Sequence, residues 1–137
     1  MLQITRQAFD ELVAMAYAAY PLEGCGLLAG PPGTDTAEHF YRCVNAEQSA
    51  RVYTVEPLDH LKAGRHAEDQ GWEIIGVVHS HTHSEPYPSP TDVAQAPDPT
   101  WHYVIVGLKR AAPEIRSYWI RDGMVTEHGI DVADGRS

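Results

Sequence analysis

The sequence has few cationic residues and no long apolar run. Lysine and arginine total 10 against 19 aspartates and glutamates, which gives a formal net charge of −9. Nucleic acids and anionic membranes select basic proteins, so this balance argues against either as a general partner. No stretch approaches the roughly 20 apolar residues of a membrane span. No apolar N-terminal run resembles a secretory signal. We therefore expect a cytoplasmic protein.

Cysteine is also scarce. Cys25 and Cys43 are the only two cysteines, too few for a disulfide framework. We predict two reduced thiols, with a disulfide between them as the alternative that spacing alone leaves open. The length of 137 residues predicts a single domain over residues 1–137. Within it, residues 1–2 and about 130–137 are expected to fray.

Two long helices are predicted, besides a short one near Asp92. The first begins after Thr5, a favourable N-cap residue, and apolar residues then follow helical spacing until Pro21 ends it. The second runs from about Pro57 to Gln70, with proline at the favoured first position and Gly71 as the stop.

Most remaining apolar segments predict strands. Residues 74–78 form a nearly continuous apolar run, as in a central strand buried on both faces. Asp122-Gly123 predicts a hairpin turn. The other segments with strand composition are CGLLAG, EHFYRCVN, RVYTV, WHYVIVGL, EIRSYWI and MVTEH. The order of elements predicts an α/β protein with a mixed sheet, and it does not fit a regular βαβ repeat.

Histidine, by contrast, is concentrated. The segment HSHTHSEPYPSPTD places His79 and His81 two residues apart at the end of the buried strand. That spacing directs both rings to one face of a sheet. Two imidazoles at one point are suitable ligands for a divalent metal, and a catalytic zinc site usually takes three protein ligands.

Asp92 is the predicted third ligand. It lies in the first turn of a short predicted helix, for which Ser89 is a candidate N-cap and Pro90 the first residue. Prolines in the intervening loop lower the entropy lost when the aspartate is held in place. His83 would compete as a ligand if the strand continued. We favour a role at the cleft or behind the ligands because the chain is entering a proline-rich loop.

We predict no metal or catalytic site at the remaining histidines. Single histidines are more often solvated or hydrogen-bonded than bound to metal, and we expect this for His39, His60, His66, His102 and His128. Cys25 fits a small buried residue better than a fourth ligand.

The string His79-x-His81-x7-Ser89-x2-Asp92 resembles the motif of the JAMM (MPN-plus) metallopeptidases of the Mov34/MPN/PAD-1 family. These proteins also have a glutamate after the first helix, and Glu23 stands there in YPLEGCGLLAG. The resemblance covers roughly residues 2–128. It implies a single-domain, cytidine-deaminase-like JAMM/MPN fold, in which a curved mixed sheet is flanked by helices.

The resemblance also implies residue roles. His79, His81 and Asp92 would bind one Zn²⁺ per chain, Glu23 would be the general base, and Ser89 would donate to the developing oxyanion. This division of labour is chemically sound. Zinc makes water acidic enough to supply hydroxide near neutral pH, and a carboxylate beside it can carry the proton to the leaving amine. Losing one oxyanion donor costs about 100-fold or more in rate.

The segments PYPSPTD, HYVIV and RSYWIRDGMVTE resemble small bacterial members of the family, including actinobacterial peptidases that release cysteine from a sulfur carrier. The implied partner is a ubiquitin-like sulfur-carrier protein with a C-terminal diglycine, cleaved after the diglycine in cysteine biosynthesis. Such a thin tail can pair as an added strand in a groove, which the RVYTVEP segment or the proline loop would line. The acidic chain would favour a basic patch on the carrier. A homodimer is compatible with this expectation.

Three alternatives stay open at this point. If the enzyme cleaves a carrier from a lysine side chain, it would be a deubiquitinase-like isopeptidase. If it removes residues beyond the diglycine, it would be a peptidase that matures a carrier. A non-catalytic MPN scaffold typically loses metal ligands, whereas all three candidates stand here with Glu23. A zinc-storage protein would need neither Glu23 nor Ser89.

Overall fold

The computed structural model describes residues 1–133. Within them, three helices accompany nine strands, some only two or three residues long. In chain order the elements are β1 (Leu2–Ile4), α1 (Arg6–Ala19), β2 (Cys25–Gly30), β3 (Thr36–Ala37), β4 (His39–Cys43), α2 (Pro57–Asp69), β5 (Glu73–His81), α3 (Pro90–Ala94), β6 (His102–Gly107), β7 (Glu114–Arg121), β8 (Met124–His128) and β9 (Ile130–Val132).

A six-stranded sheet forms the centre of the fold. Its order is β4-β2-β5-β6-β7-β8, and β5 pairs with β6 in parallel while the other neighbours are antiparallel. Alternate residues of its central strands are buried on opposite faces of the sheet. Leu28 and Val78 belong to the apolar cluster that includes α1 residues, and Leu27 and Val77 belong to the cluster that includes Ala63 of α2. The predicted α/β class and the mixed sheet flanked by helices are confirmed.

The helices begin where the sequence predicts. Thr5 caps α1 by accepting a hydrogen bond from Ala8 N at 3.2 Å. Pro57 is the first residue of α2, which ends one residue before the predicted Gln70, and Gly71 adopts a φ of 75°. This left-handed conformation suits glycine. No helix among residues 1–133 has both the length and the hydropathy that a membrane crossing requires.

A second, three-stranded sheet joins the two ends of the described chain. Its order is β3-β1-β9, with Leu2 opposite Ile130 and Ile4 opposite Val132. The predicted fraying is therefore wrong for residue 2 and for residues 130–132, because backbone pairing over a long sequence separation orders them. Ala133 N also donates to Ile4 O at 2.9 Å, and residues 134–137 lie outside the described residues.

The RVYTV segment does not form the predicted strand. It belongs to a loop of residues 44–56, here called the Asn45 loop, whose single bridge joins Asn45 to Val55. The loop is closed by hydrogen bonds from Ala46 N to Thr54 O at 2.8 Å and from Glu56 N to Val44 O at 3.0 Å. Residues with high strand propensity here form a closed loop beside the sheet. Propensity alone does not distinguish such a loop from a strand.

Candidate metal centre and active site

The end of β5 brings the predicted ligands together. His79 and His81 are 2% and 3% exposed, and their Nε2 atoms lie 3.1 Å apart. Oδ2 of Asp92 lies 3.1 Å from Nε2 of His79 and 3.2 Å from Nε2 of His81. Two imidazole nitrogens and one carboxylate oxygen therefore converge on one point, which is a typical donor set for zinc.

A capping box delivers Asp92 to this point. Ser89 N donates to Oδ2 of Asp92 at 2.8 Å, and Asp92 N donates to Oγ of Ser89 at 3.0 Å. Pro90 occupies the first turn, where its missing N–H costs nothing. The oxygen that faces the two histidines is thus the same oxygen that caps α3. The hydroxyl of Ser89 accepts the Asp92 amide, so its own proton remains free to donate.

His81 is oriented from behind by the proline-rich loop. Its Nδ1 lies 2.7 Å from the carbonyl oxygen of Glu85, which only accepts, so Nδ1 carries the proton and Nε2 the lone pair in the neutral ring. The Glu85 side chain bonds Lys109 at 3.1 Å and Arg110 at 2.8 Å. Tyr118 donates its hydroxyl to the carbonyl of Pro86. Partners of this kind fix the tautomer and orientation of a metal-binding histidine.

His79 is supported by packing. The ring of Tyr53 stacks on it with centroids 4.2 Å apart and an interplanar angle of 15°. Nδ1 of His79 is buried and has no hydrogen-bond partner within residues 1–133. Burial lowers the pKa of His79, which keeps the ring neutral. A neutral imidazole is the form that binds metal.

The arrangement fits a bound cation. In the neutral His81 ring, Nε2 is an acceptor, and it faces another acceptor, Oδ2 of Asp92, at 3.2 Å. Burial raises the pKa of Asp92, but the adjacent imidazoles of His79 and His81 and the hydrogen bond from Ser89 N outweigh this and hold it below the ordinary range. The carboxylate is therefore ionised. A positive charge between these atoms would turn their mutual repulsion into coordination.

Glu23 is the one carboxylate at the site left without a partner. It is 4% exposed, and its Oε1 is buried with no hydrogen-bond partner among the described residues. A carboxylate oxygen of Glu23 and nitrogens of His79 and His81 all lie within 4.8 Å of one another. Burial raises the pKa of Glu23 to about 7, opposed by His81 and reinforced by Asp92. A carboxylate poised near neutrality suits proton transfer.

His79 and His81 can therefore form a three-ligand metal site in two ways. The third ligand would be Asp92 in one and Glu23 in the other. Their environments differ. Asp92 is ionised and reaches both Nε2 atoms within 3.2 Å, whereas Glu23 has the raised pKa of a group that readily holds a proton. Carboxylates whose pKa values are driven apart in this way usually have different roles.

An apolar cavity of about 210 Å³ adjoins the candidate metal centre. Asp92 lies at its border, Leu27 and Val77 come from the sheet, and Tyr53 and Trp101 come from the surrounding loops. The RVYTV segment therefore lines a cavity beside the site, although it is not a strand.

The structure also places the residues that the motif leaves undecided. His83 is exposed, and its Nδ1 lies 3.0 Å from the hydroxyl of Thr82, so it does not join the ligand cluster. Cys25 and Cys43 are both buried free thiols, and Cys25 Sγ faces the Cys43 carbonyl at 3.8 Å. The predicted reduced thiols agree with this arrangement.

Asn45 is not indicated by sequence reasoning, and Tyr53 is indicated only as part of the RVYTVEP segment expected to line a groove. The composition around Tyr53 predicts a strand, and nothing in its local pattern indicates the ring on which it stacks. Asn45 donates to the carbonyl oxygen of Glu23 at 3.0 Å. The sequence gives one indication of this role. The side chain of an asparagine before a polar segment often accepts a hydrogen bond from the backbone nitrogen two residues later.

Comparisons with known proteins agree with the geometry. Residues 5–121 match the model of a family described as prokaryotic homologs of the JAB domain. The CysO-cysteine peptidase of Mycobacterium tuberculosis (strain H37Rv) is 40% identical over 135 residues, which cover 98% of this chain and 92% of the relative. A probable TtuB-protein conjugate cleaving protease of Thermus thermophilus is 32% identical over 110 residues, covering 78% of this chain and 70% of the relative.

A solved structure extends the likeness to three dimensions. The solution structure of protein DSY2949 from Desulfitobacterium hafniense superposes with a TM-score of 0.88 at 32% identity, covering 97% of this chain and 93% of that one. The motif from His79 to Asp92 indicates the same family on its own. The chain belongs to the prokaryotic JAB-domain family, with the JAMM/MPN fold that this motif predicts.

Proposed function

We propose that the chain is a zinc-dependent hydrolase that cleaves the amide bond after the C-terminal diglycine of a ubiquitin-like sulfur carrier and releases cysteine. The observation that carries this proposal is the convergence of His79, His81 and Asp92 beside the unpartnered carboxylate of Glu23. A metal-storage protein has no use for such a carboxylate, because leaving it buried without a partner destabilises the fold.

In this proposal His79, His81 and Asp92 hold the metal, one ion per chain. When bound, zinc supplies Lewis-acid chemistry that makes hydroxide available at neutral pH. Glu23 accepts a proton from the attacking water and then delivers it to the nitrogen of the leaving group. The raised pKa of Glu23 supports both transfers, because it makes the carboxyl a fair acceptor and a fair donor near neutral pH.

Ser89 serves as the donor to the carbonyl oxygen of the scissile amide. Its oxygen is held by the Asp92 amide at 3.0 Å, which fixes the hydroxyl beside the ligands and leaves its proton for the substrate. A donor fixed before the reaction needs no reorganisation as charge develops, and this is why such groups contribute strongly to rate.

The substrate assignment is supported by the relatives and by the cavity. One relative is named for an adduct of CysO with cysteine and the other for conjugates of TtuB with protein. The apolar cavity that borders Asp92 would receive part of the carrier tail, with Tyr53 and Trp101 as walls. The net charge of −9 favours a carrier with a basic docking face.

A second candidate keeps the chemistry and changes the leaving group. No lysine or arginine lines the cavity within the described residues, so a leaving group placed there would meet no fixed cation for the carboxylate of a released cysteine. This observation favours hydrolysis of a carrier joined to a lysine side chain, as in an isopeptidase, or trimming of residues beyond the diglycine.

One experiment separates these candidates. Zinc-loaded protein is incubated with three forms of a diglycine carrier: the cysteine adduct, the conjugate to a lysine side chain, and the C-terminally extended precursor. Product masses are followed with time. We expect the cysteine adduct to be cleaved at least tenfold faster than the other two. Preferential cleavage of either other form selects the second candidate, and no cleavage of any form refutes the proposal.

A further inference from the structure

The Asn45 loop wraps around the proposed general base. Glu23 lies just before β2, outside the strand ladder, and both of its main-chain polar groups bond to this loop. Glu23 N donates to the carbonyl oxygen of Ser49 at 2.8 Å, and the carbonyl oxygen of Glu23 accepts from Nδ2 of Asn45 at 3.0 Å. The position of the Glu23 backbone is therefore set by the loop.

The side chain of Asn45 uses its full hydrogen-bonding capacity. Oδ1 accepts from Glu47 N and from Thr54 N, both at 3.0 Å, and Nδ2 donates to the carbonyls of Glu23 and Val52, again at 3.0 Å. Asn45 is only 8% exposed. An amide is needed for this set, because a carboxylate lacks the two donors.

The carboxylate of Glu23 depends on this main-chain support. Its Oε1 bonds nothing among residues 1–133, so no side-chain partner fixes its direction. On the other side, the next residue is tied to β5, since Gly24 N donates to Oγ of Ser80 at 2.8 Å and Ser80 N donates to the Gly24 carbonyl at 3.0 Å. Asn45 and Ser80 therefore hold neighbouring residues from opposite sides.

We propose that Asn45 is a positioning residue for the general base, which it holds beside the metal ligands through the Glu23 carbonyl. The inference rests on the role proposed for Glu23 and adds a residue that the family motif does not contain. The same side chain bonds Val52 and Thr54, the two neighbours of Tyr53, and so also keeps that ring against His79.

The test uses Asn45→Asp in the full chain. An aspartate keeps the acceptor for Glu47 N and Thr54 N, but it cannot donate to the Glu23 carbonyl. Asn45→Ser is the second variant, because serine also supports a local turn but is too short to reach Glu23. The control is Glu47→Ala, which removes a bond from the Thr54 hydroxyl to Oε1 of Glu47 at 3.1 Å in the same loop without touching Glu23.

Three quantities are measured: amide hydrogen exchange at Glu23, the zinc dissociation constant, and kcat and KM on the substrate that the unchanged chain cleaves. In Asn45→Asp we expect exchange at Glu23 to be at least tenfold faster and kcat at least tenfold lower. Zinc affinity should fall by no more than the roughly two- to tenfold expected for a loosened Tyr53 contact, because the ligands take their hydrogen bonds elsewhere. Glu47→Ala should leave all of them within threefold.

The outcomes separate this inference from the proposed function. If the unchanged chain cleaves no carrier adduct, the proposed function fails, while the exchange measurement still decides whether Asn45 holds Glu23. Unchanged exchange at Glu23 in both Asn45 variants refutes the positioning role. So does an equal loss of kcat in Glu47→Ala, since loop integrity alone would then account for it.

Discussion

The side chain of Ser89 accepts from Asp92 N at 3.0 Å and the side chain of Asp92 accepts from Ser89 N at 2.8 Å, and the same Asp92 oxygen faces both histidines of the candidate metal centre. The carboxylate of Asp92 therefore acts both in the helix cap and as a proposed metal ligand. The spacing Ser-x2-Asp that marks the family motif is also the spacing of a capping box. Local backbone chemistry thus orients the carboxylate of the proposed third ligand.

Replacing Asp92 with asparagine should weaken zinc binding at least 100-fold. The amide oxygen can still cap α3, but it brings no charge to the two imidazoles, and the negative charge is what a dication selects. Zinc affinity is measured by competition with a chelator of known affinity. Ser89→Ala is the matched control, because it removes the other half of the capping box. It should cost about 1 kcal/mol of stability and leave zinc affinity within threefold. Equal zinc affinity in Asp92→Asn would contradict the ligand role.

Replacing Glu23 with glutamine should keep zinc bound and lower kcat by about 10²- to 10⁴-fold, the usual loss when a general base is removed. Zinc content and product mass are measured on the same preparation. A variant that binds zinc and hydrolyses at the unchanged rate would show that another group accepts the proton.

The same substitution should stabilise the metal-free protein at alkaline pH. Glu23 has a pKa of about 7 when folded against an ordinary value of 4.5, so the folded state binds the proton more tightly. Stability therefore falls as pH rises from about 4.5 to 7, and glutamine avoids this loss. Urea unfolding at pH 8 should show Glu23→Gln more stable by on the order of 1–3 kcal/mol. A less stable variant would contradict the unpaired burial of Glu23.

Much of the site is predictable from the sequence because its geometry is local. Two-residue alternation in β5 directs His79 and His81 to one face, and the cap of α3 delivers Asp92 a few residues later. The first helix is equally clear, from Thr5 as its cap and from its apolar period. These features depend on short stretches of chain, so the sequence pattern contains nearly all of the information.

The supporting contacts are not predictable in this way, because they join parts of the chain that are far apart in sequence. The donors of the Asn45 amide reach the carbonyls of Glu23 and Val52, 22 and 7 residues away. The strand predicted around Tyr53 is wrong because β-rich composition describes residues that pack on a sheet as well as residues within one. The strands β1 and β9 are three residues each, too short for any period, and their pairing within the β3-β1-β9 sheet orders the two ends.

Tyr53 should contribute to zinc affinity through its contact with His79. The rings stack 4.2 Å apart, and pairs of this kind are worth about 0.5–1.5 kcal/mol beyond simple burial. Tyr53→Leu should therefore weaken zinc binding about two- to tenfold. Tyr53→Phe keeps the ring and is the control, expected to match the unchanged chain. The chelator competition used for Asp92 measures both variants. If leucine binds zinc as tightly as phenylalanine does, the stacking has no part in holding His79.

The pair formed by buried His102 and half-buried His128 should make the protein sensitive to acid. His128 Nε2 lies 2.8 Å from His102 Nδ1 and 2.7 Å from Ser117 Oγ, while His102 Nε2 bonds Asp35 at 2.9 Å. Because Asp35 only accepts, His102 donates from Nε2, and its Nδ1 accepts from His128. Both rings can then be neutral. This network connects β6, β7 and β8 with the residue before β3.

The pKa of His128 is lowered to about 4, first by burial and then by His102, the N-terminal amine and Arg121, with Asp35 opposing them. The unfolded chain, with a histidine pKa of about 6.5, takes up the proton first, so stability falls as pH drops from about 6.5 toward 4. Between pH 7 and pH 5 the metal-free protein should lose about 1–2 kcal/mol through His128. His128→Gln removes this titration, so its urea-unfolding free energy should fall less over the same interval. Equal losses in the two proteins would show that His128 is protonated as readily when folded as when unfolded.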